Sequence, residues 1–375
     1  MVPYVSTIFA NKTEPVHLFV RERDGTPAGE ERRPVLMLHG KTSPALPGFD
    51  LNHLDHDQKS YSWAGYLAQQ GGFDVFIMDL QGSGRSPRPK MDDPCNANLN
   101  QQNLLIPNPL STQCSPAYPF QLNNSQSDWD ELDRVVQFIR NEAHPEDAPL
   151  QKVRLVGWSA AAFQIGPYAM QHSGDVHSIL FLGPAFRSAG PSNPPSTLPV
   201  PGFPMNIGTK DDFKNPWNNE QNPSCVGQRE DGIVDVVWDA IMDNDVFGHH
   251  WGPVLQSGKP EGRMRLRNAV WWGWNTSLVQ LDTKFLGKAV PVLIVYGGED
   301  KAATTAPLSI VDLYNAIQGE RKLMFKIACT GHFMPWESRF KDLHDISEQW
   351  LTNTHVFTKE KGSFLYTLSN DIIQQ

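Results

Sequence analysis

Val153-Arg154-Leu155-Val156-Gly157-Trp158-Ser159-Ala160-Ala161-Ala162 is a short apolar run that stops at a serine among small residues and passes directly into helix-forming sequence. That is the pattern of a strand–turn–helix corner with a serine hydroxyl at its tip. Small flanks suit such a corner, because the turn is tight and its serine sits in strained backbone geometry. The final glycine of G-x-S-x-G is Ala161 here, one methyl more where strand and helix pack closely. Taken alone, the pattern fits equally a serine in an ordinary strand–helix turn.

Two further segments read as buried parallel strands that end in chemically useful side chains. Val290-Pro291-Val292-Leu293-Ile294-Val295-Tyr296 is closed by Gly297-Gly298 and then by Glu299-Asp300. Leu323-Met324-Phe325-Lys326-Ile327-Ala328-Cys329-Thr330 is closed by Gly331 and then by His332. A hydroxyl, a carboxylate and an imidazole therefore follow three separate strands in the order Ser159, Asp300, His332. That order differs from those of two other serine-hydrolase lineages.

With these pieces in place the chain resembles the α/β-hydrolase fold superfamily from about Pro34 to about Trp350. Pro34-Val35-Leu36-Met37-Leu38-His39-Gly40 resembles the strand that leads into that family's His-Gly loop. Asp79-Leu80-Gln81-Gly82-Ser83-Gly84-Arg85-Ser86 is similar to its D-x-x-G-x-G-x-S turn. Gly297-Gly298-Glu299-Asp300 is similar to its acid turn, and Gly331-His332-Phe333-Met334-Pro335-Trp336-Glu337 to its histidine loop. The resemblance implies a mostly parallel central sheet covered by helices on both faces, with an inserted helical lid. It implies Ser159, His332 and Asp300 as nucleophile, base and orienting acid. It also implies an oxyanion hole made by the backbone N–H groups of Ala160 and Lys41.

Composition agrees. A chain of 375 residues can bury a large core. A formal net charge of −9 without a basic stripe argues against nucleic acid. Apolar runs are strand-sized, too short for a membrane span. The start, Met1-Val2-Pro3-Tyr4-Val5-Ser6, lacks a basic region followed by an apolar core. A cytoplasmic protein is the expectation, with a mature secreted form as the alternative. Cys95 and Cys114 flank one polar insertion and form either a bridge or two thiols. Cys225 and Cys329 lie far apart in the chain, and Cys329 reads as core packing. The sequons Asn11-Lys12-Thr13 and Asn275-Thr276-Ser277 matter only for a secreted chain.

Along the chain, residues 1–33 read as a hairpin whose clearest strand is Val16–Arg23. Trp63–Gln70 reads as a helix stopped by Gly71-Gly72. Residues 85–126, rich in Pro, Asn and Gln, form a long irregular insertion expected to rim the site. Ser127 is the expected cap of the next helix. The hydrolase core comprises 1–186 and 287–375, with 187–286 as the lid. Within the lid, a proline-rich linker precedes helices over Ile233–Asp243 and Met264–Trp274. This segment holds Trp217, Trp238, Trp251, Trp271, Trp272 and Trp274. Such rings build the lid's own small core, but a thin lid cannot hide all of them from the cleft. Trp271, Trp272 and Trp274, with Trp158 and Phe333 beside the serine and histidine, are the candidate substrate contacts.

Other polar residues have plainer readings. His249-His250 lack partners at ligand spacing, so no metal and no cofactor is expected. The cluster of His53, His56, Asp50, Asp55 and Asp57 reads as solvated loop. Glu299 reads as solvent-facing, Glu337 as a helix-start residue and Asp79 as a turn former. The expected reaction is hydrolysis of an apolar or aromatic carboxylic ester or lactone through an acyl-enzyme. Acyl transfer or carbon–carbon bond hydrolysis on the same residues is the alternative, and a non-catalytic ligand-binding relative is the third. Assembly is open between monomer and homodimer.

Overall fold

The computed structural model describes residues 1–41, 43–147, 152–187, 193–274, 281 and 285–375. Nine strands make one sheet: β1 Val20–Asp24, β2 Pro34–Leu38, β3 Asp74–Met78, β4 Val153–Trp158, β5 Val176–Leu182, β6 Val292–Gly297, β7 Lys322–Ile327, β8 Gly362–Tyr366 and β9 Ile372–Gln374. Their spatial order is β9-β8-β7-β6-β5-β4-β2-β3-β1. The inner seven run parallel, while β1 and β9 are antiparallel edges.

Alternation along each strand explains the continuous apolar runs. Val35, Met37, Val156, Trp158, Leu293 and Val295 enter one core. Their neighbours Leu36, Leu38, Leu155, Val292 and Ile294 enter the other. A strand buried on both faces needs no polar positions. The first core is covered by α1 (Trp63–Gly71) and the second by α2 (Ser125–Asn141) and α3 (Ala162–Gln171). This is the α/β-hydrolase architecture.

Three local expectations need correction. The run Val16–Arg23 is broken at Phe19, whose N–H donates to Ser86 Oγ at 2.8 Å and whose carbonyl accepts from Asp79 N at 3.1 Å. Pro15–Leu18 therefore pairs with Val2–Val5, while Val20–Asp24 joins the main sheet beside β3. Helix α2 is capped by Asn124 and not by Ser127, which closes a reciprocal capping box as the third helical residue. Residues 264–274 do not form a helix. Met264–Arg267 is a strand antiparallel to Met205–Gly208. The physical reason is charge: the buried Arg265 and Arg267 reach the buried Asp245 and Asp128 at 2.6 and 2.7 Å. An alternation Met-Arg-Leu-Arg places both guanidinium groups on one face, which a helix would not.

The chain between β5 and β6 also supplies α4 (Lys210–Asn219) and α5 (Ile233–Met242). Of residues 85–126, the last two begin α2 and the rest is mostly irregular, with short 3-10 turns at Pro94–Asn96 and Leu99–Leu105, but packed. Met91, Leu105, Leu110 and Leu122 form a small core with Met205, Ile207 and Trp251. A Cys95–Cys114 disulfide closes the loop around Gln102, whose amide donates to the Cys95 and Cys114 carbonyls and accepts from Cys114 N. Cys225 and Cys329 are also joined, correcting the reading of Cys329 as simple packing. The sequon at Asn275 and part of the proline-rich linker, including Pro191, fall outside the described residues. Asn11 is buried and bonded to Gln81, which leaves no room for a glycan.

Candidate active site

Strand β4 ends at Trp158, and Ser159 follows with φ +56°, a conformation that non-glycine residues adopt at a cost of about 1–2 kcal/mol. A short 3-10 turn, Ser159–Ala161, then leads into α3. A methyl on Gly157 would lie 2.5 Å from Ile165 Cδ1 and 3.2 Å from Ala161 Cβ. The bare Gly157 is thus what makes room for Ala161 in place of the usual glycine.

The end of β2 presses on this turn. A methyl on Gly40 would come within 3.1 Å of Ser159 Cβ and 3.3 Å of the Trp158 carbonyl oxygen. The His39 ring holds the approach: Nδ1 pairs with the Gly40 carbonyl at 2.7 Å, and Nε2 accepts from Leu80 N at 3.3 Å. These partners assign the proton to Nδ1. Burial lowers the imidazole's pKa, so it serves as a neutral staple. Asp79 shapes the neighbouring turn, accepting from Ala45 N at 2.8 Å and Arg85 N at 2.9 Å.

Asp300 follows β6 and His332 follows β7. Asp300 Oδ2 lies 3.0 Å from His332 Nδ1, and its other oxygen accepts from Ala303 N at 2.9 Å. Both side chains are buried. Burial pulls the imidazole pKa down, but Asp300, followed by Glu220 and Glu337, outweighs it and holds the group above its ordinary value. Gly183, at the end of β5 with φ +49°, makes this pair possible. Its missing methyl would sit 2.9 Å from Asp300 Oδ2 and 3.0 Å from His332 Nδ1.

Sequence reasoning gave no role to Gly183 or Glu220, and it misread Glu337. Glu337 is no helix-start residue. Buried ahead of α6 (Phe340–Asn353), it accepts from Gly331 N at 2.6 Å and Trp217 Nε1 at 2.8 Å. Burial pushes its carboxyl up to about 7, against the pull of those two donors. Glu299 is half-buried and accepts from Asn222 at 3.0 Å. No sequence pattern marks Glu220, which stands in the polar run Asn218-Asn219-Glu220-Gln221-Asn222.

Ser159, Ala160, Lys41 and His332 open on one cavity of about 1130 Å³. Trp271, Trp274 and Phe333 line it too, together with Phe163, Phe213 and Leu266. Trp158 and Trp272, grouped with these rings from the sequence, do not line it. Trp158 is buried under the site, edge-on to Trp336, and donates to the His332 carbonyl at 3.0 Å. Trp272 is buried against Trp129, with its backbone N–H and carbonyl both bonded to Ser125 Oγ. From residues 85–126 only Gln121 reaches the cavity. His249 and His250 join none of the His–carboxylate groupings among the described residues. One such grouping, Glu22, Asp74 and His144, already has Arg32 at 3.4 Å from Asp74.

The alpha/beta hydrolase family model matches residues 35–346, and the chain belongs to that family. No curated protein matches it by sequence. Among solved structures it is similar to a serine hydrolase from the polyaromatic hydrocarbon-degrading bacterium Cycloclasticus zankles, at 13% identity and TM-score 0.49, covering 92% of this chain and 96% of that one. It is similar to a thermophilic esterase from Thermogutta terrifontis at 12% identity and TM-score 0.48, covering 95% and 99%. A soluble variant of monoglyceride lipase from Saccharomyces cerevisiae gives 12% and 0.48, covering 94% and 96%.

Proposed function

We propose that the protein hydrolyses carboxylic esters or lactones with a sizeable apolar portion, using Ser159, His332 and Asp300 as a catalytic triad. The observation that carries this reading is that a strained serine and a carboxylate-bonded imidazole line one and the same aromatic cavity. Serine needs a base to become a nucleophile. As Ser159 Oγ attacks the acyl carbon, His332 takes its proton, and Asp300 stabilises the imidazolium. The carbonyl electrons move to oxygen, where the N–H groups of Ala160 and Lys41 receive the charge. Each such donor is worth about 3 kcal/mol of barrier. The tetrahedral species collapses, His332 protonates the leaving alcohol, and water repeats the sequence on the acyl-enzyme. In a lactone the alcohol stays tethered to the acyl group.

The segment 187–286 acts in this reading as a lid. Phe213, Leu266, Trp271 and Trp274 give it an apolar underside, which favours a long-chain or aromatic acyl part over an acetate. All four cysteines are paired. That supports folding in an oxidising compartment in place of the cytoplasm. No helix among the described residues is long and apolar enough to cross a membrane.

The test is a panel of p-nitrophenyl esters and lactones with wild type and Ser159→Ala, alongside labelling by a fluorophosphonate. Turnover and labelling should both vanish in the variant, a loss of roughly 10⁴-fold or more. Labelling without turnover would shift the reading to acyl transfer. Absence of both in wild type would leave only ligand binding.

A further inference from the structure

We infer that Glu220, at the foot of the inserted segment, is a positioning residue that clamps the aspartate loop and the histidine loop together through their backbone amides. This rests on the triad reading above. The Glu220 carboxylate is buried. One oxygen accepts from His332 N at 2.6 Å; the other accepts from Lys301 N at 2.8 Å and Ala302 N at 3.2 Å. One side chain from outside the hydrolase core thus spans the two strand ends that carry the acid and the base. Its donors are fixed backbone groups, so the carboxylate sets the spacing between residues 301 and 332, and with it the Asp300–His332 bond. No Lys, Arg or His side chain forms an ion pair with Glu220 among the described residues; Lys301 Nζ instead binds the Asn219 carbonyl, at 2.5 Å. An uncompensated buried acid is costly; the amide donors offset part of the burial that still holds this carboxyl above its ordinary range.

The surrounding segment, Asn219–Arg229, is anchored to the same loops at several further points. Cys225 is bonded to Cys329, three residues before His332. Asn222 donates to Glu299 at 3.0 Å, next to Asp300. Gln228 donates to the Glu220 carbonyl at 3.1 Å and accepts from Ser338 N at 3.0 Å. The helix leading into this segment, α4, also lines the cavity with Phe213 and Pro216. Pocket wall and imidazole therefore share one support. The negative charge of Glu220 adds to that of Asp300 in favouring protonated His332.

Glu220→Gln keeps the shape and one acceptor but turns an NH₂ toward a backbone N–H. The expected result is a fall in kcat of at least about tenfold, with KM for a short ester little changed. The acid limb of the kcat/KM profile should move to lower pH, because His332 loses a neighbouring charge. The His332 imidazole, followed by NMR titration in wild type and Glu220→Gln, should shift the same way. A lower Tm with the rate, limb and titration all unchanged would make the carboxylate merely structural and overturn the clamp. If wild type turns over no ester, the hydrolase reading fails, while the NMR titration still decides the role of Glu220. Should Glu220→Gln not fold, Cys225→Ser/Cys329→Ser loosens the clamp without touching the carboxylate. It should also lower kcat, while the limb, set by a charge that remains, should stay near its wild-type position; an unchanged kcat would count against the proposal.

Discussion

The serine and the histidine are held in place by opposite means. Ser159 owes its position to local geometry: a positive φ, a bare Gly157 behind it and Gly40 pressed against it, all at the ends of two adjacent strands. His332 owes its position to three carboxylates drawn from separate elements: Asp300 after β6, Glu220 after α4 and Glu337 before α6. The first half is a rigid corner. The second is an assembly, and an assembly can be taken apart one member at a time.

Asp300 should have the largest effect in that assembly. Asp300→Asn is expected to lower kcat by roughly 10³–10⁴-fold, since an amide no longer selects the imidazole tautomer. The sign of the pH effect follows from the raised pKa of His332. In the proposed mechanism His332 must be neutral to act as base, so activity should rise with pH through a value above the ordinary histidine range. Removing the Asp300 charge takes away the main stabiliser of the imidazolium, so the limb of Asp300→Asn should lie at lower pH than that of wild type. A pH–rate series on both proteins checks this. A near-native rate in the variant would leave the assembly without its centre.

Gly183→Ala comes next. The new methyl meets Asp300 Oδ2 at 2.9 Å and His332 Nδ1 at 3.0 Å, on a backbone at φ +49°. A kcat loss of about 10²-fold is expected from the displaced pair, with about 1–2 kcal/mol of stability lost to backbone strain. Gly29→Ala is the control: φ is +84° there but nothing lies within 4 Å of the added methyl. It should carry the strain and leave kcat untouched. Equal kinetic losses in both variants would mean that general destabilisation, not the pair's geometry, sets the rate.

This contrast also explains what could be read from the chain. Ser159, Asp300 and His332 each follow a continuous apolar run closed by glycine or small residues, a pattern that local sequence carries. Gly183 was visible as a glycine, but its role depends on which two strand ends flank β5. Glu220 belongs to a polar stretch without periodicity, and its donors lie 81 to 112 residues away. The Cys225–Cys329 bond closes a separation of 104 residues, which only the topology can shorten. Residues 264–274, expected as a helix, form a strand at Met264–Arg267 instead. The pairing of Arg265 and Arg267 with distant aspartates decided for a strand. Long-range charge, unlike hydrophobic period, leaves no local trace.

The aromatic wall offers the smallest and most discriminating effect. Trp271 lines the cavity and stacks on Phe163 at 5.4 Å, with its Nε1 donating to Asp128 at 3.1 Å. Trp272 is buried behind it, and its Nε1 has no partner among the described residues. Trp271→Ala should lower kcat/KM for long-chain or aromatic esters by about tenfold, roughly 1.4 kcal/mol of lost apolar contact, and leave acetate esters nearly unchanged. Trp272→Phe removes an unsatisfied donor and little volume, so it should shift stability by no more than about 1 kcal/mol and leave chain-length preference alone. Initial rates over a series of acyl lengths separate the two positions. If both variants changed preference alike, the ring would act through packing of the inserted segment and not by touching substrate. The cavity's apolar lining would then be support for the histidine assembly instead of a reader of the acyl chain.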